Sequence, residues 1–137
     1  MKPSLVPGVS RTSRIEVGRD RTIEFMGEEA RTYATPSMIR DIELTCRDLI
    51  LEHADAGEDS VGMEVAVKHL APTLMGMTVD VAVRVGSVEG RKVLFDVTVK
   101  DELDTVGAGT HTRFVIEKAK TLERLKAKAA RFAAKKD

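Results

Sequence analysis

The sequence has little of the chemistry that disulfides, zinc clusters and stacking surfaces require. Among its 137 residues there is one cysteine, Cys46, and no tryptophan, and aromatic residues make up only 4%. A single cysteine allows neither an internal disulfide nor a Cys/His zinc cluster, so we expect no bound metal and a reducing compartment, the cytoplasm. The shortage of aromatic rings also argues against a platform for stacking single-stranded nucleic acid.

The sequence also lacks an excess of charge of either sign, and it has no long apolar run. The 22 basic residues balance 22 acidic residues, so no net field attracts nucleic acid or a membrane surface. Every apolar run is far shorter than the roughly 18 to 20 residues that a membrane span needs, and residues 1–14 lack the apolar core of a signal peptide. We therefore expect neither a nucleic-acid partner nor a membrane partner.

The composition that remains is typical of a soluble globular protein, with 42% hydrophobic and 32% charged residues. The length suits one domain that covers residues 1–137. Residues 1–9 contain two prolines and a glycine and are predicted to form a loose N-terminal segment. The polar stretch that follows holds two weak strand candidates, 14–17 and 22–25.

The first strong signal is a helix that begins at Thr35-Pro36. Threonine is a good N-cap, and proline is favoured at the first helical position. Gly57 can adopt the left-handed conformation that ends a helix, so the helix should cover about residues 36–53. Its apolar residues recur at helical spacing, namely Met38, Ile39, Ile42, Cys46, Leu49 and Ile50.

After this helix the apolar period changes to two, which predicts four antiparallel strands that end by Ile116. A tight reversal at Glu89-Gly90 and an acidic turn at 101–104 separate the later strands. The residues of the first strand that are predicted to face inward are Val61, Met63, Val65, Val67 and His69. One long helix followed by four antiparallel strands is an α+β pattern.

Two glycines on one face of the last strand, Gly107 and Gly109, refine this prediction. Glycine weakens a strand, so its presence suggests that another backbone packs closely there. The long helix is the obvious neighbour. The sequence therefore predicts the hot-dog fold, in which an antiparallel sheet wraps around a long central helix.

The closing segment, 118–136, is rich in alanine and basic residues and is predicted to form a C-terminal helix. Its apolar residues recur at helical spacing, at Leu122, Leu125, Ala129 and Phe132. We expect this face to dock on its own domain. The alternative is a basic arm that binds nucleic acid, although the rest of the chain offsets its charge.

Glu43 is the first candidate for chemistry, because it lies at the margin of the apolar stripe of the helix. A carboxylate carried into an apolar groove loses hydration, which raises its pKa and suits it to acid–base or nucleophilic work. The alternative is an exposed ion pair with Arg47, four residues further along the helix.

His69 and Thr35 are the next candidates. His69 ends an inward strand face, where an imidazole can bind a substrate or orient water, or can simply bond to a backbone carbonyl. Thr35 can act only as an N-cap, but it also marks a helix start, where N–H groups and the helix dipole stabilise an oxyanion. His111 and Arg113 alternate on the glycine face of the last strand; a solvated edge or an ordinary ion pair would explain them.

Several of these features, in order and with nearly constant spacing, resemble the fluoroacetyl-CoA thioesterase family of hot-dog fold thioesterases. The resemblance spans residue 35 to about residue 116. No phosphate-binding glycine loop and no Gly-x-Ser-x-Gly elbow compete with it. The matching pieces are Tyr33-Ala34-Thr35 with Glu43 eight residues on, Ser60-Val61-Gly62 with His69 seven after the glycine, Ser87 to Arg91, and Gly107 to Arg113.

The resemblance implies a catalytic group of Thr35, Glu43 and His69, with contacts to the acyl-CoA substrate at Gly62 and Arg113. It implies a homodimer or tetramer that hydrolyses a small or medium acyl-CoA, with no cofactor other than the CoA of the substrate. The family's phenylalanine-bearing lid corresponds here to residues 25–30, which hold one phenylalanine and two acids. Fluoroacetyl specificity is therefore not carried over.

Two other functions remain open at this level. A hot-dog hydratase or dehydratase would use a similar groove without releasing free thiol. A catalytically silent module that binds acyl-CoA or an acyl carrier would bind without turnover.

Overall fold

A long helix packed across one face of a five-stranded antiparallel sheet organises the chain. The computed structural model describes residues 1–135, so residue 136 of the predicted C-terminal helix lies outside it. Two single-turn 3-10 helices, at Arg19–Arg21 and Glu28–Ala30, precede the long helix. The main elements in chain order are β1 (Ser10–Glu16), α1 (Thr35–Glu52), β2 (Glu58–His69), β3 (Thr78–Glu89), β4 (Lys92–Lys100), β5 (Thr105–Glu117) and α2 (Lys118–Lys135).

The sheet has the strand order β1-β3-β4-β5-β2, and all neighbouring strands are antiparallel. The four strands predicted after the helix are confirmed, but β1 is a fifth strand of which only residues 14–17 were predicted. Its side chains alternate between exposed and half-buried, so it carries little of the apolar signal that marks a strand in sequence. The candidate at 22–25 is wrong, since only a single bridge from Thr22 to Tyr33 is formed there.

The helix α1 begins one residue earlier than the sequence predicts. Ala34, not Thr35, is its N-cap, and Pro36 falls within the first two positions. The hydroxyl of Thr35 is therefore not used as a cap. The predicted apolar face is confirmed except at Ile39, which is only half-buried. The buried residues of α1 are Met38, Asp41, Ile42, Thr45, Cys46, Leu49 and Ile50.

A β-bulge in β2 changes which of its residues face the helix. The register against β5 shifts between Gly62 and Glu64, so one extra residue reverses the alternation. Val61 and Met63 were predicted to face inward, but they are 45% and 57% exposed. Gly62 faces the helix instead. Sequence alternation alone could not reveal the bulge, because both phases of this strand contain apolar residues.

The two glycines of β5 are explained by two different neighbours. A Cβ at Gly107 would lie 2.7 Å from the sulfur of Met38 on α1, as the sequence predicts. A Cβ at Gly109 would overlap the carbonyl oxygen of Ala66 and lie 2.7 Å from the Cα of Val67. The close backbone at Gly109 therefore belongs to the adjacent strand β2 and not to the helix.

The helix α2 does not dock on its own domain, so that prediction is wrong. None of its described side chains is buried, and the three large apolar residues of its stripe are each more than half exposed, at Leu122, Leu125 and Phe132. The physical reason is the absence of a turn: β5 ends at Glu117 and α2 starts at the next residue, so the helix continues outward. Within residues 1–135, no helix combines the length and apolarity needed to span a membrane.

The first nine residues form no helix or strand but are tied to the body. The backbone N–H of Lys2 donates to the carbonyl of His53, and that of Gly8 donates to the carbonyl of Val85. The side chain of Leu5 is buried in the core. These contacts place the N-terminal segment against the C-terminal end of α1.

We predict that Gly109→Ala lowers the free energy of unfolding by more than about 2 kcal/mol, because its Cβ must displace the backbone of β2. Gly107→Ala is the matched control, and should cost about 1 kcal/mol or less because the thioether of Met38 can rotate away. Denaturant unfolding of the two variants measures both values. Equal losses would contradict the close approach of β2 and β5 at Gly109.

Candidate active site

Thr35 and His69 are brought together where α1 starts and β2 ends. The Thr35 hydroxyl lies 2.7 Å from Nδ1 of His69, within hydrogen-bonding distance. The other ring nitrogen, Nε2, is buried and has no hydrogen-bond partner among residues 1–135. A buried polar atom without a partner is costly, and natural proteins keep such an atom mainly where function uses it.

The imidazole of His69 is held in place by a neighbouring aromatic ring. Tyr33 meets it edge to face, with ring centroids 6.1 Å apart and an interplanar angle of 79°. The Tyr33 hydroxyl donates to a carboxylate oxygen of the buried Asp41 at 2.6 Å, and Nε of Arg21 donates to the same oxygen at 3.2 Å. Burial and the Asp41 charge both raise the pKa of Tyr33, so the phenol stays protonated and donates.

A cleft of about 410 Å³ opens beside the Thr35–His69 pair. This volume is in the range of small-ligand pockets. Its walls are largely apolar, and Phe25, which is 80% exposed, stands at its rim. The residues that line it are Ile23, Phe25, Thr32, Tyr33, Thr35, His69, Leu70, Ala71 and Pro72.

Glu43 lies further along α1, in a different environment. It is half-buried, and its Oε1 is 2.8 Å from the point that a Cβ would occupy at Gly62. The ion pair with Arg47 that sequence left open is not formed, because Arg47 binds Asp59 with two hydrogen bonds, at 2.7 and 3.0 Å. Within the described chain, Glu43 takes part in no hydrogen bond or ion pair.

Arg113 is almost wholly buried on the same side of the sheet, which rules out a solvated edge. Its Nε donates to the hydroxyl of Ser60 at 2.7 Å, and its Nη2 donates to the Ser60 carbonyl at 2.8 Å. Its Nη1 lies 3.3 Å from Nε2 of His111. Burial lowers the pKa of Arg113, while the charge of Glu43 opposes that shift. An ordinary ion pair is also ruled out, because none of these partners is a carboxylate.

The five predicted site residues therefore form two groups within one chain. We call Thr35 and His69 the histidine half-site, and Glu43, Gly62 and Arg113 the glutamate half-site. Eight residues of helix separate Thr35 from Glu43, a rise of about 12 Å. No direct hydrogen bond joins the two half-sites in the part of the chain that the structure describes.

Sequence reasoning missed the contribution of His111 and Ser60. Both are buried beside Arg113. The available signal was the alternation of His111 with two glycines, which marks the helix-facing side of β5. Ser60 belongs to one of the matching pieces of the resemblance but was given no role, because the bulge in β2 hides its inward orientation. Among residues 1–135, no group of three or more His, Cys, Asp or Glu side chains is arranged to hold a metal ion.

The architecture matches a known fold closely. The structure superposes on a hot-dog-like protein from Thermanaerovibrio acidaminovorans with a TM-score of 0.82 at 22% identity, over 93% of each chain. The predicted hot-dog fold is confirmed. This fold, with the half-buried imidazole of His69 at an apolar cleft and a half-buried carboxylate on the central helix, places the protein in the hot-dog-like structural class.

The family follows from the sequence comparison. Residues 17–119 match the family model described as fluoroacetyl-CoA-specific thioesterase, and the chain belongs to this family. It is 37% identical over 135 residues to the fluoroacetyl-CoA thioesterase of Streptantibioticus cattleyicolor. The alignment covers 93% of this chain and 94% of that protein. A solved structure of the fluoroacetyl-CoA thioesterase FlK superposes with a TM-score of 0.83 at 30% identity, over 91% of this chain and 98% of the other.

The predicted enzyme class, a thioester hydrolase that acts on acyl-CoA, is confirmed by this membership. The comparisons favour neither the hydratase nor the silent binding module. The roles of Thr35, Glu43, His69, Gly62 and Arg113 stay predictions, for which the two half-sites provide a geometry.

We predict that acid destabilises the protein before its carboxylates titrate. Burial lowers the pKa of both His69 and His111 below the ordinary value of 6.5. The unfolded chain therefore binds protons first, and the free energy of unfolding should decrease as the pH falls from about 7 to about 5.5. Denaturant unfolding across this range measures the loss.

The double variant His69→Gln, His111→Gln should show a much smaller loss over the same range, because it lacks both buried imidazoles. His53→Gln, at a surface histidine bonded to Ser4, is the control that should retain the loss. A double variant as acid-sensitive as the unmodified protein would show that other groups are responsible.

Proposed function

We propose that this thioesterase hydrolyses a small or medium acyl-CoA in a groove between two copies of the chain. Thr35, Glu43 and His69 form the catalytic group, and Gly62 and Arg113 contact the acyl-CoA. The observation that carries the proposal is the buried Nε2 of His69, which lacks a partner beside an apolar cleft. A substrate or a water molecule would satisfy this nitrogen.

A second copy of the chain accounts for the separation of the half-sites. Strand β2 is an edge strand of the sheet, and its outer edge pairs with no other strand among the described residues, 1–135. Such an edge readily pairs with another strand, and the exposed Val61 and Met63 add apolar surface to it. An isologous contact, in which the same patch is used by both copies, would join β2 to its symmetry mate.

The register of that contact decides which half-sites meet. If two antiparallel β2 strands pair with the two-fold axis at Ala66, the extra residue of the bulge, Met63, brings Gly62 of one copy opposite His69 of the other. The histidine half-site of each copy would then face the glutamate half-site of its mate. Two such grooves per homodimer follow from the symmetry, and a tetramer would pair two dimers.

The chemistry is the addition of water to the thioester carbonyl, with release of a carboxylic acid and the CoA thiol. Glu43 supplies the carboxylate, either as general base toward water or as nucleophile that forms a transient anhydride. His69 and Thr35 orient the reacting groups and return a proton to the departing thiolate. Backbone N–H groups near Gly62 or at the start of α1 stabilise the oxyanion, and no cofactor is needed beyond the CoA of the substrate.

The acyl group proposed here differs from fluoroacetyl. Within the lid segment, Glu28 is drawn away into ion pairs with Arg19 and Arg31, and only Phe25 contributes an aromatic wall to the cleft. The apolar walls favour a short or medium acyl chain. The single cysteine, Cys46, is buried, which suits the reducing cytoplasm that we propose as the location.

We expect Glu43→Gln to lower kcat/KM by at least about 100-fold, because it keeps the side-chain shape but removes the basic carboxylate. The assay follows release of free CoA thiol from a panel of acyl-CoA esters, from acetyl through aromatic to long-chain. The control is Glu123→Gln, an exposed position on α2, which should leave the rate unchanged. Wild-type turnover by Glu43→Gln would refute the catalytic assignment.

Mixing two inactive variants tests whether the groove lies between copies. Co-expression of Glu43→Gln and His69→Ala chains, each with its own tag, gives hybrid dimers in which one groove carries both changes and the other carries none. Activity should recover to about one quarter of the wild-type value in a random mixture. A site contained in a single chain predicts no recovery, since every chain then carries one change.

A further inference from the structure

We propose that His111 is a positioning residue of this thioesterase: as a neutral ring protonated on Nδ1, it holds the guanidinium of Arg113 beside Glu43. The proposal rests on the function proposed above and adds a residue to its glutamate half-site. His111 touches no part of the cleft beside His69, so any effect it has on the reaction passes through Arg113.

The hydrogen bonds of His111 fix its protonation state. The ring is fully buried, and its Nδ1 lies 2.8 Å from the backbone carbonyl oxygen of Glu64. A carbonyl oxygen only accepts, so Nδ1 must carry the proton. In the neutral ring, Nε2 then offers a lone pair, and Nη1 of Arg113 donates to it at 3.3 Å.

The guanidinium of Arg113 is thereby held from three sides. Its Nε and Nη2 donate to the hydroxyl and the carbonyl of Ser60, and its Nη1 donates to His111. A guanidinium has five N–H donors, so two donors remain beyond these three. The carboxylate whose charge acts most strongly on this cation is that of Glu43, which has no hydrogen bond or ion pair within the described chain.

The bulge in β2 supplies the anchor for His111. The strand register shifts between Gly62 and Glu64, and the carbonyl that accepts from His111 belongs to Glu64, the first residue after the shift. The same bulge turns Gly62 toward Glu43. One irregularity therefore provides both the space for the carboxylate and the acceptor that sets the tautomer of His111.

A second proton on His111 would break this arrangement. Nε2 would become a donor facing the N–H groups of Arg113, and two cations would share a buried space. The charged and titratable groups that face the ring are Arg113 on β5 and Glu43 on α1, while Cys46 on α1 and Asp59 on β2 act on Arg113. Burial and Arg113 lower the pKa of His111, while the hydrogen bond to the Glu64 carbonyl and the charge of Glu43 oppose them. The net shift is downward, so the ring is neutral at neutral pH.

Two substitutions of His111 distinguish the role of its Nε2 acceptor from that of its Nδ1 donor. The oxygen of His111→Gln can take the place of Nε2 and accept from Arg113, whereas His111→Asn replaces only the Nδ1 donor and leaves Arg113 without this partner. We expect His111→Asn to raise KM for acyl-CoA about tenfold with a smaller change in kcat, and His111→Gln to stay within about threefold of wild type. Equal KM values for the two variants would overturn the proposal.

Two further measurements distinguish a positioning role from a merely structural one. They are the pH dependence of KM and the effect of His111→Asn in an Arg113→Ala background. KM should rise as the pH falls toward 5.5 in the wild type but not in His111→Gln, which has no proton to gain. In an Arg113→Ala background, His111→Asn should change KM no further, because the residue that it positions is gone. An unchanged effect of His111→Asn in that background would contradict the proposal.

One measurement does not depend on turnover. Nitrogen-15 NMR of histidine-labelled wild-type protein should show one ring with its proton on Nδ1 at pH 7, assigned to His111 by its loss in His111→Gln. If the His111 ring is instead protonated on Nε2 or on both nitrogens, the proposal is overturned, even if the protein folds and hydrolyses acyl-CoA. Absence of thiol release from every ester, with the Nδ1 tautomer present, would instead count against the proposed function alone.

Discussion

The close approach of the sheet to the central helix is the constraint on which the site depends. At Gly62 the Oε1 of Glu43 occupies space that a side chain would fill, and at Gly107 the sulfur of Met38 does the same. Because the helix lies this close, a carboxylate on its margin is half-buried, and among residues 1–135 it forms no ion pair. A side chain at Gly62 would collide with the Glu43 carboxylate itself, whereas at Gly107 the thioether of Met38 can move aside.

Charge inside this narrow space is arranged by neutral groups. Arg113 keeps its buried cation through Ser60 and His111, neither of which is a carboxylate. A buried charge is costly unless hydrogen bonds satisfy it, and here they do so without consuming Glu43. The charges of Glu43 and Arg113 interact, yet no hydrogen bond or salt bridge within residues 1–135 occupies the oxygens of Glu43, as its proposed role requires.

The sequence predicted the parts of this structure that follow from regular periodicity and missed those that follow from a single irregular residue. The long helix and the valine-rich strands could be inferred, because helix starts and strand alternation leave clear patterns. The grouping of Thr35 with His69 came from the family resemblance and not from periodicity. The inward positions of Ser60 and Gly62 could not, since one extra residue in β2 reverses the alternation. The outward course of α2 was missed because amphipathic spacing reveals an apolar face but not whether a turn exists to fold it back.

The edge strand β2 connects the local geometry to the assembly. It carries His69 at its end and Gly62 near its start, and its free edge is the place where a second sheet would add. A strand of this length holds the two positions too far apart for one chain to bring them together. In the homodimer that we propose, antiparallel symmetry reverses one copy relative to the other, so the start of one β2 would meet the end of its mate. The proposed groove combines the two half-sites in this way.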